Sequence, residues 1–201
     1  MTLGLNVSRE TSERLEGYAA LLVKWNPAIN LVSKSSLADL HTRHFADSAQ
    51  LFDLCPPDAR HWADLGSGGG FPGLVVAILA AESRPGLAVT LVESDARKAA
   101  FLATVARETG IHATVIADRI EALPPLGADV LSARALGPLP QLLGFAERHL
   151  AEGGLALFPK GATHQAEIDE SLAEWRFELQ KHPSKTDQRA VTLAIESVSR
   201  V

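Results

Sequence analysis

Cysteine is almost absent from this chain: of 201 residues, only Cys55 is one. An internal disulfide framework is therefore impossible, which fits a reducing compartment. Long apolar runs are missing too. The longest near the middle, residues 74–81, falls far short of the roughly 20 residues a membrane span needs. The opening MTLGLNVSRE has no basic segment leading into an apolar one, so no signal peptide is expected. No internal repeat or low-complexity stretch is present. Together these absences predict a cytoplasmic, globular protein with no membrane partner. Positive charge is scarce as well. A formal net charge of -5 counts against a broadly basic nucleic-acid surface and confines any such contact to a local patch. The stretch 175–201 carries five Lys/Arg against three acids, a balance that a solvated mixed surface also explains. The seven histidines show no H-x-x-x-H spacing, although His41 and His44 are three apart, and no metal site is expected.

What is present reads as one domain. The length suits a single core, and 46% hydrophobic with 21% charged residues is ordinary for a globular chain. Residues 8–26 have helical periodicity through Leu15, Tyr18 or Ala19, Leu22 and Trp25, with Ser8 as N-cap and Pro27 ending the pattern. A second helix is expected over 36–54, with Ser36 and Asp39 resembling a capping box. Cys55-Pro56-Pro57-Asp58 then divides a helical N-terminal cap, 1–57, from a core, 58–201. Along the core, strands at 61–65, 87–93, 112–117, 128–132 and 155–158 alternate with helices at 72–82, 96–109, 119–123, 139–150 and 163–173. Gly153-Gly154 is read as closing the fourth of these helices. The chain then gives two strands, 176–181 and 189–197, with a short connection. Alternation predicts an α/β fold with a mostly parallel seven-stranded sheet covered on both faces. The terminal hairpin adds one antiparallel strand. By analogy this is the Rossmann-like architecture of class I methyltransferases.

The most informative segment is Asp64-Leu65-Gly66-Ser67-Gly68-Gly69-Gly70-Phe71-Pro72-Gly73, between a strand and a helix. Four glycines in five positions let a backbone turn tightly and approach a ligand closely. Gly68, Gly70 and Gly73 satisfy the dinucleotide pattern G-x-G-x-x-G, with Glu93 placed 20 residues after Gly73. Asp64, Gly66, Gly68 and Gly70 equally satisfy the D-x-G-x-G-x-G loop of S-adenosylmethionine sites. Charge favours the second ligand. A dinucleotide would set an anionic pyrophosphate on the loop, where Asp64 opposes it. S-adenosylmethionine carries an ammonium and a sulfonium, which a carboxylate suits. Glu93 would serve the ribose hydroxyls in either case.

Beyond the loop, the segments run in order along nearly the whole chain. They are Trp25-Asn26 with Asn30-Leu31-Val32-Ser33, His44-Phe45-Ala46-Asp47-Ser48, the glycine loop, Val92-Glu93-Ser94 with Lys98-Ala99-Ala100-Phe101-Leu102, Arg119-Ile120-Glu121, Ser132-Ala133-Arg134-Ala135 and Lys160-Gly161. In this order they resemble the small-subunit ribosomal RNA methyltransferase G family, also called the glucose-inhibited division protein B family. The resemblance implies methylation of N7 of one guanine in the decoding-region loop of 16S ribosomal RNA. The partner would be that RNA or the small ribosomal subunit. It also implies that Gly66, Phe71, Ile120, Glu121 and Arg134 contact the cofactor. One departure is that Ala133 separates Ser132 from Arg134, where the family commonly has Ser directly before Arg. That puts neighbouring backbone contacts in question while leaving Arg134 in place.

Guanine N7 carries a lone pair and no proton, so its methylation needs alignment and water exclusion rather than a general base. No catalytic residue is assigned for that reason. The sequence lacks the [DN]-P-P-[YFW] loop of amino-group methyltransferases and the Pro-Cys nucleophile of the cytosine-C5 type. Cys55 reads as a packing residue. Arg134, closing the fourth strand, could hold the cofactor carboxylate, a phosphate or guanine O6. A bidentate grip on O6 and N7 would block the nucleophile. Lys160 is a candidate phosphate ligand or a solvated lysine. His44 and Asp47 share a helix face; they would fasten the cap against the core, the preferred reading, or touch RNA. Lys24, Lys34, Arg43, Arg97, Lys98 and Lys160 form the expected RNA patch. Two other classes stay open on the residues alone: a nicotinamide-dependent oxidoreductase using the same loop, and a non-catalytic ribosome-binding module. A monomer is expected.

Overall fold

The computed structural model describes residues 7–37 and 39–201, without the side chains of Lys34 and Ser35. Helix α1 (Arg9–Ile29) starts where expected, with the Ser8 hydroxyl accepting from the Thr11 N–H at 3.1 Å. It does not stop at Pro27. Asn26 carries the chain past it: its carbonyl accepts from Asn30 N–H, and its side-chain Oδ1 accepts from Leu31 and Val32 N–H at 2.7 and 2.9 Å. Proline removes one donor but leaves the acceptors of the last turn intact, and those acceptors set the true end.

The expected second helix is three pieces: α2 (Lys34–Leu37), a π-helical turn (Leu40–Phe45) and α3 (Ala46–Asp53). Ser36 is not the cap; Ser33 Oγ accepts from Ser36 N–H at 3.2 Å. The core follows as β1 (His61–Leu65), α4 (Gly73–Ser83), β2 (Ala88–Val92), α5 (Ala96–Thr109) and β3 (Thr114–Ile116). After a 3₁₀ turn (Ile120–Ala122) come β4 (Ala128–Ala133), α6 (Leu139–His149), β5 (Leu150–Lys160), α7 (His164–Ser171), β6 (Trp175–Pro183) and β7 (Val191–Arg200). Gly153-Gly154 does not separate α6 from its strand. Strand β5 begins at Leu150, and the glycines sit where its register with β4 shifts, between Ala128 and Val130.

The sheet order is β3-β2-β1-β4-β5-β7-β6. Strands β1 to β5 run parallel, and β7 lies antiparallel between β5 and β6. Alternate side chains therefore feed two cores. Trp62, Val130 and Leu157 face α4, α5 and the cap, whereas Ala63, Leu131 and Phe158 face α6 and α7. Helix α4 is buried along Gly73–Ala80 because it lies between the sheet and the cap helices, and its sequence is accordingly apolar all round. The cap thus shares one apolar cluster with the sheet: Leu15, Tyr18, Leu22, Phe45 and Leu51 pack with Leu74, Ile78 and Phe101.

Candidate active site

Parallel strands leave their carboxyl ends open where the order reverses, at β1 between β2 and β4. A cavity of about 870 Å³ opens there. The loop after β1 makes its floor. Gly66 and Gly70 have φ of +64° and +96°, in the left-handed region that favours glycine. A Cβ on Gly70 would lie 2.4 Å from Leu74 and 2.6 Å from the Tyr18 hydroxyl, so no side chain fits there. Tyr18 donates to the Gly69 carbonyl, and Gly70 N–H to the Ser67 carbonyl. Nothing in the pattern of α1 marks Tyr18 out. The only signal is that a buried tyrosine hydroxyl needs a partner.

Asp64 does not reach the cavity. It is fully buried beneath the loop, where Ser132 Oγ donates to Oδ1 at 2.7 Å and Gly73 N–H to Oδ2 at 3.2 Å. Ser132 in turn accepts from Trp62 Nε1 at 2.8 Å. The expectation that Asp64 meets a ligand's positive groups directly is corrected: its oxygens are used to hold the loop to β4. Burial pushes its pKa up to about 6, against the hydrogen bonds that favour the anion. Gly70 likewise supports the loop from below and does not line the cavity.

The remaining candidates do converge. Gly66, Gly68, Phe71, Glu93, Ile120, Glu121 and Arg134 all line the cavity, with Lys98, Arg43, His44 and Asp47 around the same space. Glu93 directly follows β2 and accepts from Gly68 N–H at 2.8 Å and from Asp95 N–H at 2.9 Å. Each oxygen keeps a lone pair for a hydroxyl. Arg134 leans over the Phe71 ring, 4.9 Å from its centroid, and donates from Nη1 to His44 Nδ1 at 2.8 Å. The His44 ring stacks on Phe71 at 4.8 Å. Burial first, then the charges of Arg134 and Arg43, pull the His44 pKa down to about 4. Burial also lowers that of Arg134.

His44 and Asp47 do not pair with each other. Each fastens the cap separately: His44 to Arg134, and Asp47 to the hydroxyls of Ser184 and Thr186 in the β6–β7 loop. Lys160 is not free for phosphate. Its side chain is 9% exposed and forms an ion pair with Glu167 at 2.7 Å, besides donating to the Gly137 carbonyl at 2.8 Å. Arg97 is held by Asp95 at 2.9 Å, and Lys24 is exposed on α1, outside the cavity wall. The side chain of Lys34 lies outside the described residues. Sequence reasoning missed Leu31, Val32, Ser94, Asp118, Leu136 and Gln141, all of which line the cavity. All but Gln141, on the first turn of α6, sit in loops, where no periodicity marks a facing side. No helix among the described residues is long and apolar enough to cross a membrane.

The sequence model of a family described as rRNA small subunit methyltransferase G matches residues 11–192. Proteins named ribosomal RNA small subunit methyltransferase G from Ruegeria sp. (strain TM1040) and Ruegeria pomeroyi are 56% and 58% identical to this chain. They align over 99% and 98% of it and over 97% and 96% of their own lengths. Among solved structures, an O-methyltransferase from Bacillus cereus in complex with SAH superposes with a TM-score of 0.59. Its identity is 13%, and the match covers 96% of this chain and 93% of that one, a likeness of fold.

Proposed function

We infer that this chain, which belongs to the rRNA small subunit methyltransferase G family, methylates 16S ribosomal RNA with S-adenosylmethionine as donor. The acceptor atom is N7 of a guanine in the decoding-region loop. The observation that carries the reading is the meeting of Gly66, Gly68 and Glu93 with Phe71, Arg134 and His44 around one cavity. The residues fit the cofactor. Glycines at Gly66 and Gly68 leave room for close backbone approach, Glu93 offers acceptors for ribose hydroxyls, and Arg134 offers a guanidinium for a carboxylate. Ile120 and Glu121, on the 3₁₀ turn, supply an apolar wall and a second acid at the same end. Asp64 and Gly70 act indirectly by holding the loop. The nicotinamide and non-catalytic readings gain nothing from this arrangement.

S-adenosylmethionine supplies an electrophilic methyl group when bound. The protein's own task is orientation. Phe71, Leu31 and Val32 give the cavity apolar surface that excludes water, and N7 needs no residue to remove a proton. Lys98 and Arg43 at the rim suit RNA phosphates. The site of action is the cytoplasm, with a monomer as the working unit.

Transfer of labelled methyl to small subunits that lack the modification tests the reading, with the product mapped by cleavage at 7-methylguanine. One labelled guanine is expected; no transfer to subunits or free rRNA would move the acceptor elsewhere. Cofactor binding is checked separately. At 100 times its Kd, S-adenosylmethionine should stabilise the fold by about 2.7 kcal/mol, while NAD leaves the melting temperature unchanged.

A further inference from the structure

His44 carries a hydrogen-bond donor that nothing among the described residues uses. A guanidinium has no acceptor, so His44 Nδ1, facing Arg134 Nη1 at 2.8 Å, must itself accept. The neutral ring then has its proton on Nε2. That Nε2–H is shut off from water and has no partner among the described residues. Buried donors are nearly always paired, and an exception points to a missing group. The ring is half-buried, lines the cavity and is stiffened by stacking on Phe71. It rides on the π-helical turn, a geometry found mostly as short insertions at functional sites.

We propose that His44 reads the target base, its Nε2–H donating to guanine O6. The proposal rests on the guanine-N7 reading and deepens it. Guanine presents an acceptor at position 6, where adenine presents an amino donor. A fixed N–H therefore accepts guanine and meets another donor on adenine. O6 neighbours N7, so the bond orients the nucleophile while leaving its lone pair free. A neutral donor also places no charge against the cation that methylation creates on the base. Arg134 is the positioning residue: it fixes which ring nitrogen holds the proton. Nε2 is covered in the free protein, so the base must displace that cover.

The test uses small-subunit rRNA with the target guanine replaced by 2-aminopurine, which keeps N7 and lacks O6. The measurement is kcat/KM for the wild-type protein and for His44→Phe on both substrates. Wild type should lose about 10- to 100-fold on 2-aminopurine, the worth of one buried hydrogen bond. His44→Phe should lose a similar factor on guanine and nothing further on 2-aminopurine, with its S-adenosylmethionine Kd within about twofold of wild type. His44→Gln, which retains an N–H donor, should recover part of the preference for guanine. Additive losses would overturn the proposal. A fall in cofactor affinity matching the loss of rate would also overturn it, by assigning the donor to the cofactor. Failure of wild type on guanine itself is a separate result, and it removes the functional reading along with the proposal.

Discussion

Single residues divide into those that face the cavity and those that build it. Gly70→Ala tests the builders. It adds a Cβ against Leu74 and Tyr18 at a positive φ. Overpacking and backbone strain should together cost about 2–4 kcal/mol, read by chemical denaturation, and weaken cofactor binding without touching any lining side chain. Asp64 and His44 form a second test, through pH. Asp64 binds its proton more tightly when folded, up to about 6, so it removes stability as pH rises from its unfolded value near 4 toward 6. His44 binds its proton less tightly when folded, down to about 4, so it restores stability over the rise from 4 to 6.5. The two slopes oppose each other across that window, and His149, whose pKa burial also lowers, adds to the rise. Asp64→Asn removes one of them. The variant's melting temperature should then climb more steeply than the wild type's as pH rises from 4 to 6; equal slopes would show that Asp64 titrates normally. Lys160→Met should behave as a structural change only. It leaves Glu167 without its cation and should cost about 2 kcal/mol, or roughly 4–8 °C in melting temperature.

Elements differ in how plainly the sequence announces them. Helix α5 is legible to the residue, since Asp95 caps it with two N–H bonds and Gly110 ends it at φ +65°. The buried parallel strands are legible as apolar runs. The segment between Ser33 and Phe45 is not, because a helical hydrophobic pattern fits α and π geometry alike over so few turns. The extension past Pro27 was hidden for another reason. Its cause is the Asn26 side chain, which reaches Leu31 and Val32 five and six residues ahead. Asn26→Ala should cost about 1–3 kcal/mol by leaving those N–H groups unpaired. It should also loosen the cavity wall they form, lowering affinity for both cofactor and RNA. Normal affinities in a destabilised variant would detach that wall from the site. For the site itself, the glycine loop and Glu93 could be read from their spacing, and Arg134 from its place closing the fourth strand and from the family resemblance. Asp64 was read as a carboxylate for the ligand's positive groups, but sequence position fixes a strand end and not which side a carboxylate turns to; here it turns beneath the loop.

At the scale of the molecule, the net charge is acidic, and the proposed reading sets RNA contact at the cavity rim. Binding to rRNA should therefore have a shallow salt dependence. Lys98→Ala should reduce the slope of log K against log salt by about 1. Lys160→Met should leave the slope unchanged, which separates the lysine at the rim from the one locked to Glu167. Polar contacts join the cap to the core through Tyr18 with the Gly69 carbonyl, Ser8 and Thr11 with Glu82, His44 with Arg134 and Asp47 with the β6–β7 loop. Gln50 reinforces the last by donating to the Pro183 carbonyl at 2.7 Å and accepting from Lys185 N–H at 3.0 Å. Strand β7 gives the order of sheet positions a further meaning. It follows β6 in the chain yet lies inside it, between β6 and β5. During translation, then, β5 waits as an unpaired edge and β6 has no neighbour until residues 191–200 leave the ribosome tunnel. An mRNA truncated just before that strand would yield a nascent chain holding every cavity residue and only five paired strands of the seven, a substrate for chaperones and proteases before it could ever modify RNA.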